Sequence, residues 1–264
     1  MKKITALLLA ALMVVSLAAC GQQAAAPAAT EAAKEATVKT VQPGKLIMAT
    51  NAAFPPYEFI ADDGKTIVGI DAEIAGMVAQ ELGLELQIED IEFASILTSI
   101  QTGKADIGLA GMTVTEERLQ NVNFSSVYAK GVQSVIVPEG SDIQSIDDLS
   151  GKMIGVQEST TGHIYCEDDF GADHVIAFSN GANAVQALLS GKVDCVVIDN
   201  NPAKEFVKAN AGLVILDTSY AEEDYAAAIS KDNEELLKAF NEVLDKKIAD
   251  GTVQGILDKY ISAN

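Results

Sequence analysis

From Lys45 onward, short apolar runs alternate with longer stretches in which apolar residues recur every three or four positions. Apolar runs bounded by glycine, proline or acidic residues indicate buried strands. Residues at helical spacing, such as Ile74, Met77 and Val78, indicate amphipathic helices. The runs predict strands at 45–50, 57–60, 66–69, 84–90, 105–110, 132–137, 153–157, 174–178, 193–198, 213–217 and 225–230.

The intervening stretches predict helices, of which the last two span 233–249 and 253–261. Asn201 is expected to cap another helix, with Pro202 at its first position. The polar run Asp62-Asp63-Gly64-Lys65 predicts a hairpin turn. Strands that alternate with helices predict an α/β fold with mainly parallel sheets.

One helix–strand junction occurs twice. Each copy consists of a helix end, the sequence Gly-Lys-X-Asp and an apolar strand. The first copy is Gln101–Asp106 with the strand 107–110, and the second is Leu189–Asp194 with the strand 195–198. The repeat predicts two similar lobes. Because ligands of open α/β sheets bind beyond the carboxyl ends of the strands, a cleft between two such ends is the expected ligand site.

The first residues resemble a secretion signal, with Lys2 and Lys3 before the apolar run 4–17 and small residues before Cys20. A membrane span is the alternative, but the run is shorter than the ~20 residues that a spanning helix needs. Cleavage before Cys20 would allow lipidation there. Residues 22–40 are rich in Ala, Gln, Glu, Pro and Thr, which predicts a flexible tether before a folded part that begins near Lys45.

The formal net charge is −20 at pH 7, which argues against nucleic acid as a partner. The two histidines and three cysteines match no structural zinc spacing, so neither a metal nor a cofactor is expected. Cys166 and Cys195 either form a disulfide or remain buried free thiols.

Arg118 is the only arginine, and it follows Thr113 and Thr115 just beyond a predicted strand. A guanidinium binds a carboxylate through two parallel hydrogen bonds, which lysine cannot reproduce. Backbone N–H groups at a helix start also favour anions. We therefore predict that Arg118 binds an anion; a surface helix position beside Glu116 and Glu117 is the alternative.

Asp199 ends the equivalent strand of the second copy. A carboxylate facing Arg118 would suit an ammonium, so the pair predicts a site for a zwitterion. Asp199 as a helix cap is the alternative, although Asn201 already suits that position. Thr160 and Thr161 open a helix after a strand, where they either contact the ligand or only cap the helix.

Phe54 follows the first predicted strand, and Phe93 lies at a helix start on the same side of the expected cleft. The two rings are placed to sandwich an apolar or extended ligand side chain. Ordinary core positions are the alternative for both.

Four segments read ATNAAFPPYEF, GIDAEIA, GKADIGLAGMTVTEERLQNVNFSSVY and IGVQESTTG. Together they resemble the solute-binding proteins of polar amino-acid ABC importers, the family-3 extracellular binding proteins, over nearly all of 45–264. The resemblance implies a type II periplasmic-binding-protein fold, with two α/β lobes joined by two hinge crossings and a ligand cleft between them. The implied parts are a signal peptide at 1–19, a lipidated cysteine and tether at 20–44, lobe 1 at 45–132 plus 226–264, and lobe 2 at 133–225.

The resemblance also implies roles for individual residues. Arg118 would hold the α-carboxylate of an L-amino acid, and Asp199 would hold its α-ammonium. The other contacts would come from Thr113, the backbone of Gly111, Thr160 and Thr161 around the charged groups, and from Phe54 and Phe93 beside the side chain.

Members of this family that bind basic amino acids often have Asp where this chain has Asn51. Asn51 can hydrogen-bond a ligand side chain but cannot neutralise a cation. Glu58 lies nearby in sequence and could compensate. Both basic and neutral polar ligands, such as glutamine, therefore remain open.

The expected protein is a lipid-anchored receptor on the extracytoplasmic face of a bacterial membrane. It would capture a free L-amino acid and deliver it to ABC permease subunits, as a monomer and without catalysis. One alternative is a cyclohexadienyl-dehydratase-like enzyme on the same fold, with His163 near Cys166 as an acid–base candidate. Another is an amino-acid sensor, which needs a second membrane span or a signalling domain, and neither is predicted up to Asn264.

Overall fold

A computed structural model describes residues 38–217 and 219–261. The predicted signal peptide, Cys20 and most of the predicted tether lie outside these residues. Within them, no helix combines the length and the apolar content that crossing a membrane requires.

The described residues form an α/β structure in which helices and strands alternate along most of the chain. The strands are β1 Lys45–Thr50, β2 Ala53–Phe54, β3 Glu58–Ile60, β4 Ile67–Val68, β5 Glu85–Asp90, β6 Ile107–Gly108, β7 Val122–Phe124, β8 Ala129–Pro138, β9 Ile154–Gln157, β10 Val175–Phe178, β11 Cys195–Asp199, β12 Leu213–Ile215, β13 Ala221–Tyr225 and β14 Ala228–Ser230. The helices are α1 Ile70–Leu82, α2 Ile96–Gln101, α3 Glu116–Asn121, α4 Thr161–Phe170, α5 Gly181–Leu189, α6 Asn200–Ala209, α7 Glu234–Ala249 and α8 Thr252–Tyr260. Short 3₁₀ turns lie at Phe93–Ser95, Ile146–Leu149 and Ala172–His174.

Two separate sheets define two lobes. The sheet of lobe 1 has the strand order β5-β1-β6-β14-β7, and β1 runs parallel to β5 and β6. The sheet of lobe 2 has the order β10-β9-β11-β8-β12, with β13 also paired to β8. There β9, β10 and β11 run parallel, and β8 is antiparallel to its neighbours. The predicted α/β class with two similar lobes is confirmed.

The chain passes twice between the two sheets. It leaves lobe 1 after β7 and enters lobe 2 along β8; it returns between β13 and β14. The single strand predicted at 225–230 is therefore wrong, because β13 ends at Tyr225 in one sheet and β14 begins at Ala228 in the other. The apolar run is continuous there because residues in both sheets and in the crossing are buried.

The core of lobe 2 follows the two-residue period of β11. Val196 and Ile198 pack with α5 and α6 on one face of the sheet, whereas Cys195 and Val197 belong to a cluster on the other face. Cys166 lies in the same cluster as Cys195, and both are buried free thiols. Burial raises the pKa of Cys195 to about 12, which keeps that thiol protonated and unreactive.

The hairpin predicted around Asp62-Asp63-Gly64-Lys65 is confirmed, because β3 and β4 pair antiparallel on either side of it. The Asp63 carboxylate accepts hydrogen bonds from the backbone N–H groups of Lys65 and Thr66, which fixes the turn. The folded part was expected to begin near Lys45. The chain already contacts lobe 1 before that residue, since Val41 donates its N–H to Asp106.

The repeated Gly-Lys-X-Asp junction has a physical cause that is the same in both lobes. Gly103 and Gly191 adopt left-handed φ angles of 67° and 70°, which end the preceding helix. Asp106 Oδ2 then accepts the N–H of Ile47 at 2.8 Å, and Asp194 Oδ2 accepts the N–H of Met153 at 2.7 Å. Each aspartate thus joins its own strand to the start of the neighbouring parallel strand.

The two copies of this junction allow a matched test of stability. Asp106 is buried and also accepts the Val41 N–H at 2.7 Å, whereas Asp194 is exposed. Asp106→Ala should lower the free energy of unfolding by about 3 kcal/mol, because it leaves two backbone donors without an acceptor. Asp194→Ala should cost about 1 kcal/mol. Urea unfolding followed by circular dichroism measures both, and equal losses would contradict this account.

Candidate functional site

The carboxyl ends of β1, β6, β9 and β11 surround one cavity between the lobes, with about 450 Å³ of space not filled by protein atoms. Every ligand-site residue predicted from the sequence lines this cavity: Asn51, Phe54, Phe93, Gly111, Thr113, Arg118, Thr160, Thr161 and Asp199. The rest of the lining consists of Glu58, Ala110, Gln133, Gln157, Val197, Ile198 and Tyr225.

Arg118 is 7% exposed and is held by one backbone carbonyl from each lobe. Its Nη1 donates to Thr113 O at 2.8 Å, and its Nη2 donates to Ser159 O at 3.0 Å. Ser159 has a left-handed φ of 64°, the conformation in which its carbonyl meets the guanidinium. None of the ion pairs formed by residues 38–217 and 219–261 includes Arg118.

The charge of Arg118 is therefore buried without a paired carboxylate. Burial lowers its pKa, and Glu223 is the strongest opposing influence; an arginine nevertheless stays ionised in proteins. Two of the ~five guanidinium N–H groups are used by the two carbonyls, which leaves donors for an anion in the cavity.

The expected contribution of the helix start to anion binding is not supported. Helix α3 spans only Glu116–Asn121, and the N–H of Arg118 donates to the capping hydroxyl of Thr115 at 3.1 Å. Glu116 and Glu117 occupy the first turn. The guanidinium, and not the helix end, is thus the cationic group of the site.

Asp199 is 1% exposed at the end of β11 and accepts three hydrogen bonds. Its Oδ2 accepts from the Val132 N–H at 2.8 Å and from the Tyr225 hydroxyl at 3.0 Å, while its Oδ1 accepts from the Asn201 N–H at 2.9 Å. Burial raises its pKa to about 6, against the lowering effect of these bonds. A carboxylate offers ~four acceptor positions, so Oδ1 can accept one more donor.

The assignment of the helix cap to Asn201 is wrong. Helix α6 begins at Asn200, and Asp199 is its N-cap. The Asn201 side chain instead donates to the Tyr57 hydroxyl in the other lobe at 3.1 Å. Asp199 consequently combines the capping position with a place in the cavity wall, and the two interpretations offered by the sequence do not exclude each other.

Direct contacts join the lobes around the cavity. Gln157 Nε2 donates to Asn51 Oδ1 at 3.0 Å, and the hydroxyls of Thr113 and Thr161 lie 3.5 Å apart. Thr160, the other predicted hydroxyl, caps α4 by accepting the His163 N–H at 3.2 Å. The lobes are therefore closed on each other at this point.

Phe54 and Phe93 reach the cavity from different directions. Phe93 lies beneath Arg118, whose Cζ is 5.4 Å from the ring centroid. Phe54 stacks on Tyr57 with ring centroids 5.8 Å apart. It also contacts the backbone at Gly111, because a Cβ added there would lie 2.8 Å from the Phe54 Cε1.

Gly111 can present only its carbonyl to a ligand. Its N–H donates to Asp71 Oδ2 at 2.8 Å, and its φ of 53° is left-handed. The sequence predicted that the backbone of Gly111 contacts the charged groups of the ligand. Since only its carbonyl is available, the contact that remains possible is with an ammonium.

Sequence reasoning missed Glu223 on the crossing strand β13. This side chain is 5% exposed, and its Oε2 accepts from Thr113 Oγ1 at 3.1 Å and from Gln133 Nε2 at 2.9 Å. The sequence feature that could have indicated Glu223 is its place in the acidic segment Glu222-Glu223-Asp224, close to a predicted hinge crossing. Because the chain has 38 acidic residues, this segment does not stand out from the other acidic positions.

His163 does not belong to the cavity lining. Its Nδ1 accepts the Ser159 N–H at 3.1 Å, and its Nε2 lies 3.2 Å from Glu167. The enzyme alternative depended on this histidine as an acid–base group beside the ligand.

Comparison with known proteins gives concordant results. Residues 46–263 match the profile of the bacterial extracellular solute-binding proteins, family 3. The arginine-binding extracellular protein ArtP of Bacillus subtilis is 32% identical over 270 residues, covering 99% of both chains. The glutamine-binding protein GlnH of the same organism is 31% identical over 268 residues, covering 99% of this chain and 98% of its own.

A solved structure shows the same fold. The arginine-, lysine-, histidine-binding protein ArtJ from Geobacillus stearothermophilus superimposes with a TM-score of 0.78 at 34% identity, covering 83% of this chain and 96% of its own. This likeness confirms the type II periplasmic-binding-protein fold. With the family match across nearly the whole folded part, it establishes that the chain belongs to the bacterial extracellular solute-binding proteins of family 3.

Proposed function

We propose that this protein is an extracytoplasmic receptor that captures a free L-amino acid with a polar or basic side chain and delivers it to an ABC importer. The observation that carries the proposal is the pairing, in one cavity, of an arginine without a carboxylate partner and a buried carboxylate with a free acceptor position. A zwitterion complements both groups. The names of the relatives, which bind arginine or glutamine, support the same ligand class.

The proposed contacts follow from the groups that remain available. Arg118 binds the α-carboxylate, with the hydroxyl of Thr161 on the side of lobe 2. The Thr160 hydroxyl donates to Gln157 O at 2.8 Å and supports the helix start from behind. Asp199 and the carbonyl of Gly111 accept the α-ammonium, and Thr113 lies between the two charged groups. The ligand side chain extends between Phe54 and Phe93 towards the amide of Asn51.

Hinge closure is the proposed mechanism of capture. Lobe 1 comprises 45–132 and 226–264, lobe 2 comprises 133–225, and a ligand that touches both stabilises the closed state relative to the open one. Delivery requires permease subunits in the membrane, and we propose that a monomer performs it. Lipidation at Cys20, after removal of a signal peptide, would hold the receptor on the extracytoplasmic face.

A thermal-shift screen of the twenty amino acids, cystine and citrulline tests the ligand class. Binding only to the folded state adds about 4 kcal/mol at a ligand concentration ~1,000 times Kd. For a domain of this size, the Tm should rise by at least about 5 °C with the true ligand. Citrulline is the neutral counterpart of arginine and separates recognition of shape from recognition of charge. No shift with any of these compounds would contradict the proposal.

Arg118→Lys tests the carboxylate contact. Lysine keeps the charge but not the paired N–H donors, so the affinity for the amino acid identified in the screen should fall at least about 100-fold. Calorimetry measures the loss, and the circular dichroism spectrum without ligand should show that the variant keeps the wild-type fold. Glu117→Gln, on the exposed side of the same helix, is the matched control and should bind normally. Near-normal affinity in Arg118→Lys would refute the assignment.

Asp199→Asn tests the ammonium contact. The substitution keeps a capping side chain but removes the charge, so binding should weaken by several kcal/mol. Because the wild-type carboxyl has a pKa of about 6, it is ionised above that pH and protonated below it. Wild-type affinity should therefore fall as the pH drops through 6, by up to about tenfold per unit. If Asp199→Asn keeps both the affinity and this pH dependence, Asp199 is a cap alone.

A further inference from the structure

Two buried carboxyl groups lie together beside Gly111, and one of them, Glu58, also lines the cavity. Glu58 on β3 and Asp71 on α1 are both 0% exposed. Asp71 Oδ2 accepts the Gly111 N–H at 2.8 Å and the Tyr128 hydroxyl at 2.9 Å. The site described above uses Gly111 but assigns no task to either carboxyl group.

The hydrogen bonds around this pair do not balance if both groups are ionised. Within the described part of the chain, both carboxyl oxygens of Glu58 and the Oδ1 of Asp71 meet no N–H or O–H donor. Buried polar atoms without partners are rare and costly. A single proton held between the two groups would supply a hydrogen bond from Glu58 to Asp71 Oδ1.

The charges around the pair lead to the same conclusion. No lysine, arginine or histidine forms an ion pair with either carboxyl group among the described residues. Of the neighbouring titratable groups, Asp90 acts on Glu58 and Tyr128 hydrogen-bonds to Asp71. Tyr57 is influenced by both carboxyl groups and by Asp199. Burial and the neighbouring Asp71 raise the pKa of Glu58 well above its usual range, while burial raises the pKa of Asp71 to about 6.

We propose that Glu58 and Asp71 share one proton at neutral pH, with Glu58 as the carboxylic acid, and that the pair is a positioning unit for the Gly111–Thr113 loop of the ligand site. Asp71 holds the Gly111 N–H, and two residues later the Thr113 carbonyl holds the Arg118 guanidinium. The left-handed backbone at Gly111 also lies against the Phe54 ring, so a shift of this loop would move the cavity wall.

The proposal changes the expected role of Glu58. Its presence in the cavity lining would also allow an ionised Glu58 to pair with a cationic ligand side chain. A carboxylic acid that donates to Asp71 cannot do so. The effect on ligand recognition rests on the proposed function, whereas the shared proton and the loop anchor do not.

Three variants of the full chain separate these possibilities. In Glu58→Gln, the side-chain NH₂ can still donate to Asp71, so the loop should remain in place. In Glu58→Ala, the Asp71 oxygen loses its donor and a gap opens beside it. Thr66→Ala, at the exposed turn between β3 and β4, is the control for general effects on this hairpin.

Infrared spectroscopy and unfolding measurements test the proton. At pH 7 the wild type should show the C=O stretch of a protonated carboxyl group, which Glu58→Gln should lack. A group that holds a proton when folded and releases it when unfolded makes stability fall as pH rises. Asp71 and Asp199 contribute a similar slope up to their pKa of about 6, so the comparison is made above pH 6. There the wild-type folding constant should decrease by up to about tenfold per pH unit, and Glu58→Gln should lose that slope. An identical infrared spectrum or an unchanged slope in Glu58→Gln overturns the shared proton.

Hydrogen exchange tests the loop anchor without any ligand. The Gly111 amide should exchange at least about tenfold faster in Glu58→Ala than in the wild type, while Glu58→Gln and Thr66→Ala keep wild-type protection. Unchanged protection in Glu58→Ala overturns the positioning role.

Calorimetry with L-arginine and L-glutamine completes the test. Glu58→Gln should bind both within about threefold of the wild type, since this change is below 1 kcal/mol. A selective loss of L-arginine binding in Glu58→Gln would identify Glu58 as an ionised ligand partner and overturn the proposal. If the wild type binds neither, nor any other amino acid, the proposed function fails, while the infrared and exchange results still decide on the pair.

Discussion

The buried guanidinium of Arg118, held by one carbonyl from each lobe, is the interaction on which the geometry of the site depends. Removing such a charge from water is expensive unless another charge compensates it. The carbonyls of Thr113 and Ser159 satisfy two N–H groups but carry no net charge, and Glu223 acts on Arg118 without an ion pair. A ligand carboxylate would supply the missing charge at the junction of the lobes. The group proposed to bind the ligand carboxylate is therefore well placed to make lobe closure depend on the ligand.

The carboxylates of the site are tied to the strands on which the lobes turn. Asp199 accepts from β8 through Val132 and from β13 through Tyr225. Glu223, itself on β13, accepts from Thr113 in lobe 1 and from Gln133 on β8. Because the crossing strands and the cavity share these hydrogen bonds, a rotation of one lobe against the other would directly disturb the proposed ligand contacts. No long pathway is needed to couple binding to closure.

The sequence predicted the parts of the structure that depend on local chemistry. Glycine, the following aspartate and an apolar run define the Gly-Lys-X-Asp junction, and the structure repeats it with matching hydrogen bonds in both lobes. Arg118 was predicted as a cavity residue because it is the only arginine of the chain. Asp199 was predicted because it ends the strand of the second Gly-Lys-X-Asp copy. Local patterns failed where the chain changes sheets: the apolar run through 225–230 carries no mark of the crossing.

The missed residues depend on contacts between distant segments. Glu223 and Thr113 are 110 positions apart, and Gln157 and Asn51 are 106 apart. In a chain with 38 acidic residues, nothing local distinguishes a buried carboxylate from a solvated one. Glu58 and Asp71 show the same difficulty, because their environment is created by Tyr128 and Gly111 from other parts of the fold.

Two opposing influences would act on the side chain of the proposed amino-acid ligand. The polar side chains beyond the aromatic rings are amides. Asn51 Nδ2 donates to Ile91 O and Asn51 Oδ1 accepts from Gln157 Nε2, which leaves the side-chain Oε1 of Gln157 as an acceptor for a neutral or cationic donor. The surrounding field is negative, since Asp199, Glu223 and the Glu58–Asp71 pair outnumber Arg118. Between buried groups such a field is weakly screened by salt, so it favours a cationic side chain without a direct ion pair. An amide at the contact and acidic groups around it are thus compatible with both arginine and glutamine.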